Sequence, residues 1–144
     1  MPVALVNRVR NRAIKPAALR LTAQKLLRAS GYPDAVLSIT LVGDVRMRRL
    51  NREYRQADRP TDVLSFPLHD RAQSKVLGDV VISVDTAKRQ AAGYDAPLQR
   101  ELERLLIHGI LHLLGHDHHR RGERQRMERE ERRLARAIGM PWPY

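Results

Sequence analysis

Three histidines in the second half of the chain have the residue type and the spacing to bind a metal ion. His108, His112 and His118 stand at relative positions 0, +4 and +10. Residues four apart lie on one face of an α-helix, so the first two imidazoles can point at a common centre. A continuous helix cannot bring the third imidazole there, but Gly115 can end the helix with a positive φ. The spacing predicts a three-histidine site for one zinc ion per chain, with a fourth position open to chemistry.

Gly109, directly after the first histidine, argues against one type of metal-dependent reaction. The string from His108 to His118 has the spacing of the zinc-peptidase sequence H-E-x-x-H-x-x-G-x-x-H, with glycine in place of glutamate. Such peptidases use the glutamate as a general base on the metal-bound water, so its absence argues against that mechanism. Histidines also cluster at exposed helix ends without binding a metal, where their charge interacts with the helix dipole. His116 and His119 compete as ligands, although the spacing favours His118.

Length and composition limit the class of protein. The 144 residues and the 42% hydrophobic content suit one domain spanning residues 1–144. The absence of cysteine excludes disulfides and thiolate zinc sites, and it is compatible with a reducing, cytoplasmic location. No apolar run approaches the roughly 20 residues of a membrane span. The N-terminus lacks the apolar core of a secretory signal, so we expect no export and no membrane association.

The net charge of +11 is large for a chain of this size. The first 33 residues hold seven basic residues and no acid, and six arginines crowd residues 46–59. A field of this sign attracts polyanions such as nucleic acid, so these two stretches are the candidates for a polyanion-binding surface. The alternative is a solvated, arginine-rich surface without a partner. The basic residues from Arg120 to Arg136 alternate with glutamates, as is typical of a solvent-facing helix.

The hydrophobic pattern predicts an α+β fold, with helices packed on a mixed sheet. The predicted strands are Val3–Val6, Ala35–Val42, Asp62–Phe66 and Val76–Val84. The predicted helices are Ile14–Ser30, Val45–Tyr54, Asp85–Ala92, Pro97–Leu114 and Arg121–Ile138. The helix that carries His108 and His112 is apolar over most of its surface in its second half, which predicts a buried helix.

Four details of this pattern can be tested directly. Val80, Val81 and Ile82 form a continuous apolar run, which predicts a strand buried on both faces. Asp44 and Asp85 are expected to cap the helices that follow them. Tyr54 is expected to point inward. The polar segment from residue 68 to residue 75 is expected to be a mobile loop.

Three sequence blocks resemble the YbeY family of bacterial and organellar metal-dependent endoribonucleases. The most specific is His108-Gly109-x-Leu111-His112-Leu113-x-Gly115-x-Asp117-His118. The second combines Leu50-Asn51-x-x-Tyr54-Arg55 with Pro60-Thr61-Asp62-Val63-Leu64-Ser65-Phe66-Pro67, and the third is Leu77-Gly78-Asp79-Val80-Val81-Ile82-Ser83. The blocks occur in the family's order, and the element order and length also agree.

The resemblance implies more than the residues indicate by themselves. It implies an α+β fold whose small sheet is mostly parallel and covered by helices. It also implies a zincin-like cleft in which His108, His112 and His118 are the ligands and Arg55 is the functional arginine. It further implies single-strand-specific cleavage of RNA, maturation of the 3′ end of small-subunit ribosomal RNA, and a role in ribosome quality control. The implied partners are ribosomal RNA and the ribosome or its small-subunit proteins. Neither the residues nor the resemblance indicates an oligomeric state.

Several roles stay open at this point. Arg55 could bind the scissile phosphate, or it could pair with Asp58 on the surface. Asp117 could be a general base, orient a ligand imidazole or stabilise the turn. Asp62 and Asp79 could lie in the cleft or only end strands. Ser65 and Thr61 could contact phosphate or only form hydrogen bonds within the loop. Two other classes compete: a hydrolase of another bond, such as a peptidase, and a non-enzymatic RNA- or ribosome-binding module with a structural metal.

Overall fold

A computed structural model describes residues 3–68 and 76–142. The order of elements in these segments is the predicted one. The strands are β1 (Val3–Asn7), β2 (Val36–Val42), β3 (Val63–Pro67) and β4 (Val76–Ser83). The helices are α1 (Pro16–Ala29), α2 (Asp44–Arg55), α3 (Val84–Gly93), α4 (Leu98–Leu113) and α5 (Arg121–Ala137). Of the predicted mobile loop, residues 69–75 lie outside the described residues.

The strands form one sheet in the order β1-β2-β4-β3. The pairs β1–β2 and β2–β4 are parallel, while β3 runs antiparallel to β4. The α+β prediction with a mixed, mostly parallel sheet is therefore confirmed. Strand β4 lies inside the sheet, where Val80 and Ile82 join the main core and Val81 joins a second cluster on the opposite face. All three side chains are less than a tenth exposed, which confirms the prediction of a strand buried on both faces.

Helix α4 is the central helix of the main layer. It packs on β3 and β4, and α1, α3 and α5 surround it. Burying one Leu or Ile side chain contributes about 1.5–3 kcal/mol, and α4 buries eight of them. They are Leu98, Leu102, Leu105, Leu106, Ile107, Ile110, Leu111 and Leu113. This packing fixes the position of the helix and therefore of the histidines that it carries.

Helix α2 packs on the opposite face of the sheet. Met47 is fully buried there against Val42, Leu64 and Val81. The prediction for Tyr54 was wrong: its side chain is 59% exposed and contacts the ring of Phe66 edge-on. The last turn of α2 therefore lies at the edge of this small cluster. None of the helices in residues 3–68 and 76–142 combines the length and the apolar character needed to cross a membrane.

The two predicted helix caps were also wrong, although both aspartates lie at helix starts. Gly43 precedes α2, and Asp44 is the first helical residue; its Oδ1 accepts hydrogen bonds from the hydroxyls of Ser83 (2.6 Å) and Thr86 (2.7 Å). Ser83 caps α3, because its Oγ accepts the N–H of Thr86. Asp85 instead accepts the backbone N–H of Asp44 at 2.8 Å. The aspartates thus join the starts of α2 and α3 to each other.

Candidate metal centre and active-site cleft

The last two turns of α4 hold two of the three histidines at the edge of the core. His108 and His112 are half-buried, whereas Ile107, Ile110 and Leu111 around them are fully buried. The imidazoles are four residues apart and therefore share one face of the helix, as the spacing predicted. Their ring centroids are 4.7 Å apart. The apolar residues thus fix α4 against the sheet and leave this one polar face directed at the cleft.

Gly115 ends α4 and turns the chain back toward that face. Its φ is +96°, a conformation that side chains with a Cβ rarely adopt. The N–H of Gly115 bonds the carbonyl of His112, and the N–H of His116 bonds the carbonyl of Leu111, both at 3.0 Å. This is the Schellman arrangement of a helix C-terminus. It directs His118 to within ring-centroid distances of 5.9 Å from His108 and 5.4 Å from His112.

The three imidazoles have the spacing of a ligand set. The Nε2 atoms of His108 and His112 are 3.1 Å apart, and one ring nitrogen from each of the three histidines lies within 4.8 Å of the others. Two nitrogens on one tetrahedral zinc ion, each at 2.0–2.1 Å, are separated by about 3.3 Å. The pair on α4 therefore already fits the ion, and His118, whose side chain is 52% exposed, has room to approach. In the part of the chain that the structure describes, no other group of three possible ligands is this close.

The environment keeps His112 neutral. Burial, together with the smaller effect of charge on His108 and His118, lowers the pKa of His112 from 6.5 to about 4. Its imidazole is therefore unprotonated at neutral pH. That is the form whose free lone pair binds a metal.

Three further polar residues, His116, Asp117 and His119, lie next to the three histidines. His116 and His119 line the cleft but do not belong to the close group of three ligands. Oδ1 of Asp117 accepts the backbone N–H of His118 at 2.7 Å and lies 3.3 Å from Nε2 of His119. Asp117 thus stabilises the turn that presents His118. The hydrogen bond to the backbone is also the largest cause that lowers the pKa of Asp117.

Gly109 occupies a position where no side chain fits. A Cβ there would lie 2.8 Å from Cγ1 of Val80 and 3.3 Å from Oγ of Ser65, so the helix approaches the sheet at this residue. The hydroxyl of Ser65 donates to the carbonyl of Gly109 at 3.0 Å. The residue after the first histidine therefore faces the sheet rather than the cleft. A glutamate at this position, where zinc peptidases have one, would therefore collide with Val80.

Arg55 lies at the end of α2 and lines the same cleft as the three histidines. Its Nη2 donates to the carbonyl of Ser65 at 3.2 Å. The alternative partner, Asp58, is bound by Arg48 through two hydrogen bonds of 2.8 and 3.0 Å and lies 3.9 Å from Arg52. Within residues 3–68 and 76–142, Arg55 has no carboxylate partner. Its charge is thus available to an anionic ligand beside the histidines.

The cleft between Arg55 and the histidines has a volume of about 760 Å³. Thr61, Asp62 and Ser65 line it, but their polar groups are used within the protein. Oδ1 of Asp62 accepts from the hydroxyl of Thr61 and from the N–H of Val63, at 3.4 and 2.8 Å. Asp79 does not line the cleft; it lies exposed on β4. The wall formed by the loop before β3 is therefore held by its own hydrogen bonds.

One residue at this site was missed by the sequence analysis. Oε2 of Glu131, on α5, lies 3.3 Å from Nδ1 of His108. A signal was present in the sequence, because Glu131 occupies the same apolar stripe of α5 as Met127 and Leu134. All three are buried. An acid on the buried face of a helix requires a partner, but the pattern alone did not identify which one.

The sequence is similar to one family of known proteins. A family model described as Endoribonuclease YbeY matches residues 5–139. A protein named Endoribonuclease YbeY from Geobacter metallireducens is 45% identical over 93% of each chain. One of that name from Aquifex aeolicus is 43% identical over 85% of this chain and 83% of its own. A third, from Anaeromyxobacter sp., is 54% identical over 85% of this chain, which spans 64% of that relative.

A solved structure shares the fold. The solution structure of a Thermotoga maritima protein superimposes with a TM-score of 0.61 and 23% sequence identity. The alignment covers 95% of this chain and 91% of that one. At this identity the likeness concerns the fold alone.

Proposed function

This chain belongs to the YbeY endoribonuclease family, and we propose that it is a zinc-dependent endoribonuclease that cleaves single-stranded RNA. The proposed ligands of one zinc ion per chain are His108, His112 and His118. The proposed catalytic residue is Arg55. The observation that carries this assignment is the convergence of three imidazoles and the guanidinium of Arg55, which has no carboxylate partner among the described residues, on a single cleft.

The proposed mechanism divides the work between the metal ligands and the arginine. His108, His112 and His118 would hold the zinc ion, which would supply Lewis acidity at the scissile phosphate. Arg55 donates hydrogen bonds to oxygens of the scissile phosphate and stabilises the negative charge that develops there. The carbonyl of Ser65 orients the guanidinium by accepting one of its N–H groups. The cleft volume of about 760 Å³ and the positive charge of the chain suit a polyanionic substrate such as RNA.

We further propose that the substrate in the cell is ribosomal RNA. The reaction would mature the 3′ end of the small-subunit RNA and contribute to ribosome quality control in the cytoplasm. Ribosomal RNA and small-subunit proteins are the proposed partners. The names of the relatives support RNA as the substrate class, and the charge of +11 supports a polyanionic partner.

Cleavage assays on three substrates test the activity. Metal-loaded protein is incubated with single-stranded RNA, duplex RNA and a denatured protein, each with and without a chelator. We expect cleavage of single-stranded RNA alone, and its loss with chelator. Proteolysis would contradict the proposal, and so would RNA binding without cleavage, which is the behaviour of a binding module with a structural metal.

Variants separate the ligand assignment from the activity. His112→Ala should contain no stoichiometric zinc by elemental analysis, whereas His119→Ala should retain it. Zinc retained by a folded His112→Ala protein would refute the ligand set. The ribosomal role is tested by sequencing the 3′ ends of small-subunit RNA in cells depleted of the protein and supplied with wild type or Arg55→Ala. Mature ends in both strains would exclude the role.

A further inference from the structure

Glu131 is a buried acid for which the proposed reaction provides no role. Its side chain is 12% exposed and lies on the inner face of α5, next to residues of the main core. Burying a carboxylate is costly unless it is hydrogen-bonded or paired. In the part of the chain that the structure describes, its one ion-pair partner is Nδ1 of His108, at 3.3 Å. The neighbouring Glu130 instead pairs with Arg133 on the surface.

The two ring nitrogens of His108 face different partners. Nδ1 faces the carboxylate of Glu131, whereas Nε2 lies 3.1 Å from Nε2 of His112. In a neutral imidazole only one nitrogen carries a proton, and the hydrogen bond that it makes determines which one. A carboxylate can only accept, so it selects the tautomer with the proton on Nδ1. The lone pair of Nε2 is then directed at the centre that it shares with His112.

We propose that Glu131 is a positioning residue that accepts the Nδ1–H of His108 and so presents the unprotonated Nε2 to the metal. The proposal rests on the zinc site proposed above and goes beyond it, because the carboxylate is no ligand and lies 23 residues further along the chain. Carboxylates that orient a ligand imidazole in this way raise metal affinity. Helix α5 therefore contributes to the site although it supplies none of the three ligands.

Three variants distinguish positioning from packing. Glu131→Leu has a side chain of similar volume that suits the apolar stripe, but it removes the acceptor for the Nδ1–H of His108. Glu131→Gln keeps an uncharged carbonyl acceptor for that N–H. Glu128→Leu is the matched control, because Glu128 lies exposed on the same helix. Zinc affinity is measured by competition with a chromophoric chelator. We expect Glu131→Leu to weaken zinc binding about 10- to 100-fold, Glu131→Gln to recover part of that loss, and the control to bind like wild type.

A second measurement does not depend on the metal. Nitrogen NMR of the metal-free protein reports which ring nitrogen of His108 is protonated. We expect the Nδ1–H tautomer in wild type and a shift toward Nε2–H in Glu131→Leu. An unchanged tautomer in that variant, or wild-type zinc affinity in a folded Glu131→Leu protein, would overturn the proposal. If Glu131→Leu does not fold, Glu131→Met, which also removes the acceptor, carries the test, and wild-type zinc affinity or an unchanged tautomer in that variant would overturn the proposal.

Failure of this inference is distinguishable from failure of the zinc site. A wild-type protein that binds no zinc would refute the zinc site, while the tautomer of His108 would still report on its bond to Glu131. Zinc binding at one ion per chain that is indifferent to Glu131 would leave the site standing and refute the positioning role.

Discussion

Replacing Gly109 by alanine tests the close approach of α4 to the sheet. The new Cβ would lie 2.8 Å and 3.2 Å from the two methyl carbons of Val80 and 3.3 Å from Oγ of Ser65. Val80 is fully buried and β-branched, so its methyl groups cannot rotate away without strain. Either α4 or β4 must therefore shift.

Two opposing terms set the expected magnitude. Overpacking a buried site costs typically about 1–3 kcal/mol. Alanine in the interior of a helix is favoured over glycine by about 0.8–1.0 kcal/mol. Because the closest contact is shorter than real Cβ contacts allow, we place the overpacking cost in the upper part of its range. The free energy of unfolding should then fall by about 1–2 kcal/mol.

The assay is denaturant unfolding of the metal-free proteins, which removes the contribution of metal binding to stability. Gly122→Ala is the matched control, since a Cβ at that residue of α5 meets nothing within 4 Å. A double-mutant cycle with Val80→Ala isolates the contact. In the Val80→Ala background, Gly109→Ala should no longer destabilise, because the methyl groups that it would meet are absent.

Two results would refute this reasoning. One is a Gly109→Ala protein more stable than wild type, which would mean that helix propensity alone acts at this residue. The other is an equal effect of Gly109→Ala in both backgrounds, since the cycle would then show no coupling with Val80. A confirmed cost would also predict weaker zinc binding, because His108 directly precedes Gly109 in the chain.

Three further predictions concern the cleft. His118→Ala should weaken zinc binding by more than the about 10- to 100-fold typical of residues that only orient a ligand, whereas His116→Ala should leave the affinity unchanged; equal effects in a competition assay would contradict the ligand set. The Arg55→Ala protein should retain zinc by elemental analysis, and its kcat/KM for RNA should be about 10²–10³-fold lower than that of wild type. Arg49→Ala, on the outer side of the same helix, should cleave RNA normally. Loss of zinc in Arg55→Ala would indicate a structural role for Arg55. In metal-free protein, the lowered pKa of His112 means that the unfolded state binds more protons than the folded state between pH 6.5 and about 4. The free energy of unfolding should therefore fall by up to about 3 kcal/mol as the pH drops through this window. A His112→Gln protein with the same dependence of stability on pH would disprove this prediction.

The availability of Arg55 illustrates how the site depends on contacts between distant residues. From the sequence, Asp58 was as good a partner for Arg55 as for any other arginine of that stretch. In the folded chain Arg48, one turn before Arg52 on α2, takes both oxygens of Asp58, and Arg55 bonds the carbonyl of Ser65 on β3 instead. The packing of α2 on the sheet therefore determines whether Arg55 contacts Asp58 or Ser65. The local sequence pattern does not predict that packing.

The sequence by itself determined the features that depend on local geometry. The four-residue spacing put His108 and His112 on one helical face, and Gly115 marked the turn because only glycine adopts its φ without strain. The alternation and runs of apolar residues likewise predicted the order of strands and helices. These outcomes follow from periods of two and 3.6 residues, which act over a few neighbours.

The tertiary structure decided which groups from separate elements meet. It placed β4 against Gly109, which leaves no room for the glutamate of a peptidase, and it brought Glu131 of α5 to His108. The same packing left Arg55 facing the histidines. Each of these contacts joins residues more than ten positions apart, and their free energies depend on how whole helices pack on the sheet. The sequence therefore determined the spacing of the histidines, and the packing of α2, α4 and α5 determined which groups surround them.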